Sequence, residues 1–255
     1  MPDRDNADNK YCYPGLSVLK NKLNIKDAAE LFEAEKKLTS IRLQELQENP
    51  IKGKFDYKHL KKIHKYIFQD VYDWAGKERT VEISKSDSLF CTLRCLSSYA
   101  ETVFSHYYPE CKENENNIEK FVEVFAKNYG DLNALHPFRE GNGRAQREFA
   151  RMICADCCYA FDLSCTTHEK MVEASQISLR ANDNAALLEI FRKAVMPLAE
   201  YDAKNNGHIH IFSSDDMTLE TQKVLYNKYE NDGSKAVEKY NDVYEEKIRR
   251  MNNKE

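Results

Sequence analysis

Apolar residues in the first half of the chain recur at steps of three and four, the spacing of one helix face. Leu31, Ala34, Leu38 and Ile41 predict an amphipathic helix over 25–47, ended by Asn49-Pro50. A second stripe, Leu60, Ile63, His64 and Ile67, predicts a helix over 57–69, and a histidine on such a stripe reads as a buried, hydrogen-bonded core residue. The period then changes. Thr80-Val81-Glu82-Ile83 alternates, 84–88 is loop chemistry, and Leu89-Phe90-Cys91 is strand-like, which together predict a short β-hairpin. Helical spacing returns over 96–107 and is followed by a charged loop over 110–117. Ile118, Phe121, Val122, Phe125 and Tyr129 then mark a helix that leads to residue 136, and further helices are predicted over 144–159, 168–181 and 185–195, the last stopping at Pro197. Residues 1–10 show no periodicity and read as a loose end. Beyond Tyr201 two tail helices are predicted, over 219–229 and 235–251. Val237, Tyr240, Tyr244, Ile248 and Met251 stripe the second, which should dock on the core, another copy or a partner.

Composition agrees with a mainly helical, all-α fold carrying one hairpin: 255 residues, 42% hydrophobic, 31% charged, with only 8 Gly and 6 Pro. The expected organisation is a disordered N-terminus over 1–10, one domain over 11–200 and a helical C-terminal extension over 201–255. A net charge of −4 offers no broad cationic surface, which disfavours nonspecific nucleic-acid binding. No apolar run approaches the roughly 20 residues that span a membrane, and the polar opening has no signal-peptide core, so a cytoplasmic location is expected. The 8 cysteines then read as reduced thiols. Cys154-x-x-Cys157 with Cys165-x-x-His168 has zinc-like spacing, but the first pair falls inside a predicted helix, where small cysteines packing in a core are the plainer reading.

Candidate chemistry concentrates in one stretch, His136-Pro137-Phe138-Arg139-Glu140-Gly141-Asn142-Gly143-Arg144-Ala145-Gln146-Arg147. Gly141-Asn142-Gly143 directly precedes a helical run, so backbone N–H groups can curl around an anion at a positive helix end. Arg144 and Arg147 sit one turn apart where guanidinium forks can hold phosphate oxygens. By helical angle they fall with Arg151 on one side, opposite Phe149, Met152, Ile153 and Cys157, so the arginines are expected to look outward. Glu140 has the wrong sign for a phosphate and the right sign for a magnesium ion bridging two of them. His136 is the group that can take a proton near pH 7.

The stretch resembles the signature of the Fic family: histidine, proline, phenylalanine, any residue, an acid, glycine, asparagine, glycine, arginine, two of any, arginine. Tyr13-Pro14-Gly15, Leu19-Lys20-Asn21-Lys22-Leu23 and Val71-Tyr72-Asp73-Trp74-Ala75-Gly76-Lys77 resemble the opening of stand-alone bacterial members, so the likeness covers roughly residues 11–197. It implies a helical bundle with a hairpin flap that transfers AMP from magnesium-bound ATP to a Ser, Thr or Tyr hydroxyl of a target protein. Carried over by position, His136 is the base, Glu140 the metal ligand, Gly141, Asn142 and Gly143 the cradle of the α- and β-phosphates, and Arg144 and Arg147 the clamp on the β- and γ-phosphates. The hairpin becomes the flap, with Ile83, Ser84, Lys85 and Phe90 as target-binding candidates through edge pairing. Pro137 and Phe138 are structural, and Arg139 occupies the variable position. Two alternatives keep the same scaffold: transfer of UMP, phosphocholine or phosphate, or a nucleotide-binding regulatory module.

The family resemblance also raises control. Many members are held off by a helix carrying Ser or Thr, three residues, Glu, then Gly or Asn, whose glutamate pairs with the second signature arginine. No Glu followed by Gly or Asn in this chain has Ser or Thr four residues earlier. Glu230, in Tyr226-Asn227-Lys228-Tyr229-Glu230-Asn231, is the nearest miss, and a divergent N-terminal helix around Glu35 is a second candidate. The reading preferred here is that inhibition is supplied by a small antitoxin-like partner protein or is absent, and a homodimer is left open.

Overall fold

The computed structural model describes residues 10–85, 88–205, 245–246 and 248–253. Its helices are α1 (Ala28–Glu48), α2 (Tyr57–Phe68), α3 (Leu96–Glu113), α4 (Ile118–Leu135), α5 (Asn142–Asp156), α6 (His168–Ala181), α7 (Ala185–Ala194) and α8 (Leu198–Asn205). Side-chain caps start several of them: Asp27 accepts from Ala29 and Glu30 N–H, Asp56 from His59, Asn117 from Lys120 and Thr167 from Lys170. Among the described helices none is long and apolar enough to cross a membrane.

α4 is the pillar, packed against α3, α5, α6 and α7. Phe121, Phe125, Leu132 and Leu135 are fully buried, and towards its C-terminal end the helix is enclosed on every side, polar residues included. Each of these polar side chains makes a hydrogen bond: Asn128 Nδ2 donates to Glu110 Oε2 at 2.7 Å, Tyr99 Oη donates to Asp131 Oδ1 at 3.2 Å, and Asn133 Nδ2 donates to the Ser175 carbonyl at 3.2 Å. α2 packs against both α5 and α1.

Four expectations need correction. The helix predicted over 96–107 runs on to Glu113 through Pro109, because the segment taken as a charged loop packs on α4: Cys111 is fully buried and Glu110 holds Lys127 and Asn128. The helix after the signature stops at Asp156, and Tyr159–Phe161 (β3) pairs antiparallel with Val195–Pro197 (β4), a second small sheet that the pattern did not announce. The hairpin exists but its ladder sits nearer the tip: Ser84–Lys85 (β1) pairs with Ser88–Leu89 (β2), so that all of it but Leu89 falls in the stretch expected to be loop, and Phe90 N–H to the Ile83 carbonyl at 3.3 Å continues it inward. The α1 face also turns: Leu31, Glu35, Thr39, Leu43 and Leu46 are buried, while Ile41 is 55% exposed.

The tail predictions over 219–229, most of 235–251, and Glu230 lie outside the described residues. Where the tail is described it is helical around 248–252, and Ile248 and Met251 pack against the core, with Arg94 and Glu245 paired at 3.0 Å.

Candidate active site

α4 ends one residue before the signature, and His136 is its C-cap, held in the left-handed region at φ 42°, ψ 61°. A histidine tolerates that conformation better than a β-branched residue would. The Asn133 carbonyl lies 3.1 Å from His136 Nδ1. A carbonyl can only accept, so Nδ1 carries the proton and Nε2 keeps the lone pair of a base. The ring stacks on Phe90 at 3.6 Å between centroids, 16° from parallel.

The loop that follows is locked from within. Asn142 is buried, and its side chain accepts from Phe138 N–H at 2.9 Å and donates to the Phe138 carbonyl at 2.7 Å. Phe138 is fully buried, its ring 3.8 Å from that of His64. His64 accepts Gly76 N–H at Nδ1, 2.9 Å, and donates from Nε2 to the Glu140 carbonyl, 2.9 Å. Burial pushes its pKa down to about 3, so it stays neutral and holds this tautomer. The core histidine read from the stripe is therefore the strut beneath the signature loop. Gly141, at φ 79°, starts α5, and a Cβ there would meet the Phe68 ring at 2.1 Å, so no other residue fits. Its N–H is given to Glu140 Oε1 at 2.8 Å; the cradle expected of this stretch is left to the first-turn N–H groups of α5, which have no acceptor within the helix.

The arginines do not all look outward. Arg144 is buried and faces α1: Nη2 reaches Glu35 Oε1 at 2.5 Å, Nη1 reaches Thr39 Oγ1 at 3.2 Å, Glu140 Oε1 lies 3.5 Å away, and the guanidinium sits 4.6 Å from the Phe68 ring centroid. The other Glu35 oxygen accepts from Tyr72 Oη. Burial works against the charge on Arg144, yet Glu35 and Glu140 outweigh it and leave its pKa above the ordinary value. Arg147 is half-buried and curls back over the helix start, since a Cβ on Gly143 would stand 3.1 Å from its Nη1. Arg151 pairs with Glu148 at 2.6 Å. Helical angle alone missed the inward turn because its polar partners on α1, Glu35 and Thr39, lie off the apolar stripe Leu31, Ala34, Leu38 and Ile41 from which the buried face was read.

Of the flap candidates, Ile83 is half-buried and Phe90 is buried against His136, while Ser84 and Lys85 form β1. The zinc-like cysteines divide: Cys154 and Cys157 are buried thiols whose pKa burial raises, and Cys165 is exposed. Among the described residues no group of three or more His, Cys, Asp or Glu stands in a metal-holding arrangement.

The sequence profile of the Fic/DOC family matches residues 54–154, which contain α2, the hairpin, the pillar helix and the whole signature. The "Probable protein adenylyltransferase Fic" of Salmonella typhimurium is 35% identical over 191 residues, a match covering 74% of this chain and 94% of that protein. The chain belongs to the Fic family. Protein adenylyltransferase VbhT of Bartonella schoenbuchensis is 38% identical over 184 residues, covering 72% of this chain and 38% of that longer protein. Among solved structures, the N-terminal Fic domain of a VirB-translocated effector of Bartonella quintana with bound ADP superposes with a TM-score of 0.70 at 24% identity, covering 76% of this chain and 98% of that one. That likeness establishes the Fic fold for this chain.

Proposed function

We propose that this Fic protein is a protein adenylyltransferase, transferring AMP from ATP to a hydroxyl side chain of a protein target with release of pyrophosphate. The observation that carries the reading is the placement of His136, with Nε2 as its basic nitrogen, at one end of a locked loop whose other end is the N-terminus of α5. The relatives named protein adenylyltransferase support it.

In this reading His136 Nε2 takes the proton from the attacking hydroxyl, which displaces pyrophosphate from the α-phosphorus; the base contributes about 10²–10⁴-fold. The first-turn N–H groups of α5, at Asn142 and Gly143, lie against the α- and β-phosphates, where fixed donors act without reorganising. Arg147 grips the outer phosphates from above the helix start. Arg144 supports the same charge from the buried side and keeps Glu140 oriented. Glu140 would hold magnesium: one carboxylate fits a hard ion that takes its remaining ligands from phosphate and water, and magnesium would neutralise charge on the leaving pyrophosphate. The flap edge near Ile83 and Lys85 receives an extended segment of the target by strand pairing.

The test is labelling by the full chain, alone and in a lysate, with ATP carrying label at the α- or the γ-phosphate. Label on protein from the α position only is expected. Label from the γ position would assign phosphate transfer, and none from either would reject transfer.

A further inference from the structure

We propose that Arg79 is a positioning residue for this reaction: one guanidinium ties both arms of the flap to the loop that carries His136. The proposal rests on the adenylyltransferase reading. The Arg79 side chain has 0% exposure, although it lies in the charged run Lys77-Glu78-Arg79. Its Nε donates to the His136 carbonyl at 2.9 Å, Nη1 donates to the Val81 carbonyl at 2.9 Å, and Nη2 donates to the Cys91 carbonyl. Its backbone N–H donates to the Pro137 carbonyl at 2.8 Å. One residue thus binds the outgoing arm, the returning arm and two consecutive carbonyls of the signature.

Glu82 completes the clip. It lies 3.4 Å from Arg79 Nη1 and accepts Leu93 N–H at 3.0 Å, while Cys91 N–H donates to the Ala134 carbonyl in the last turn of α4 at 2.9 Å. Phe90, between these anchors, is the residue stacked on the His136 ring. A buried cation paired with a carboxylate such as Glu82 is a poor device for stability alone, because well-packed apolar residues of similar volume commonly serve as well or better. What a guanidinium adds is a rigid planar fork that addresses three carbonyls in fixed directions, which an ammonium cannot do. The clip therefore sets the register between the flap edge, which presents the target, and the base that deprotonates it. A displacement of about 1 Å between such groups costs roughly 10²-fold in rate.

The experiment compares the full-length chain with Arg79→Lys and Glu82→Gln. Three quantities are read: ATP affinity by calorimetry, transfer of label from α-labelled ATP, and amide hydrogen exchange together with the His136 ring resonances. For Arg79→Lys we expect ATP affinity within about twofold of the parent and transfer reduced about 10²-fold. Faster exchange at the Cys91 and Leu93 amides and shifted His136 resonances should accompany this, with exchange in α1 and α6 unchanged. Glu82→Gln keeps an acceptor for Leu93 and should show the same local pattern at smaller amplitude. Wild-type transfer in Arg79→Lys overturns the proposal, as does a loss of protection spread evenly through the fold or a loss of ATP affinity equal to the loss of transfer. If Arg79→Lys does not fold, an unaltered Glu82→Gln assigns Arg79 to stability alone. A wild-type chain that moves no label rejects the adenylyltransferase reading instead, and the exchange and ring signals still decide whether the clip exists.

Discussion

At the scale of single residues, His136 combines chemistry with an unusual backbone, and the two can be separated. His136→Ala and His136→Asn both remove the base, so both should lower transfer by at least about 10²-fold while ATP affinity stays within about twofold. Asparagine visits the left-handed region readily and alanine does not, so the alanine variant should melt lower by the equivalent of about 1 kcal/mol. ATP affinity that falls with transfer would make the histidine structural. A second separation concerns Glu35, one of the two candidate internal inhibitors. It is buried, one oxygen on Arg144 and the other on Tyr72, and so it pairs with the first signature arginine, where an inhibitory glutamate would pair with the second. Glu35→Ala should therefore destabilise, by about 3–5 kcal/mol as for other broken buried pairs, and reduce transfer. A rise in transfer would make Glu35 an inhibitor after all. The signature residues were legible because their order is specific. Arg79, Glu35 and the inward turn of Arg144 were not, because a charged residue in a polar run reads as surface and only the opposing chain reveals its partner.

Among the elements, α2 shows how a scaffold helix governs the site. Its stripe was legible from Leu60, Ile63, His64 and Ile67, all buried; that His64 holds the Glu140 carbonyl was not, since Gly76 and Glu140 lie far apart in sequence. The hairpin was found but placed too far from its tip, because alternation at Thr80 to Ile83 reports half-burial beside the core rather than ladder pairing. β3 and β4 are three residues each, too short for periodicity to register. α2 also carries a pH dependence. The ordinary histidine value is 6.5 and burial lowers that of His64 to about 3. The unfolded chain therefore binds this proton first as the pH falls. The stability that neutral His64 contributes is whole above about pH 6.5 and is lost progressively between there and pH 3, at up to about 1.4 kcal/mol per pH unit. His59, also lowered chiefly by burial, acts in the same direction. Denaturant melts from pH 7.5 to 4.5 should show a shallower decline in His64→Gln than in the parent, with the His59 slope remaining. Parallel curves would mean that His64 is not neutral in the fold.

For the whole molecule, one continuous core joins Tyr11 near the start to Ile248 and Met251 near the end, so the tail is a question of architecture as well as of control. The pattern predicted a docking helix without saying on what, and the apolar pair rests on the core. The Arg94–Glu245 pair next to it is 69% and 44% exposed and adds little, so among the described residues of the tail the attachment is mainly the partial burial of Ile248 and Met251. Full burial of such a side chain is worth about 1.5–3 kcal/mol, which puts these two contacts together at no more than a few kcal/mol. Replacing both, Ile248→Ser with Met251→Ser, should lower Tm by about 2–4 °C for each kcal/mol lost. His136, the loop and α5 are held by α2, α4 and the flap root, at a distance from the tail contacts, so ATP affinity and transfer should stay within about twofold. A chain ending at Asn205 removes the same contacts together with Glu230 and should behave alike, because the purified protein is expected to be active without relief. Transfer that rises about tenfold or more in the shortened chain alone would assign an internal inhibitor to residues 206–255, and a rise in both variants would assign it to the docked helix itself.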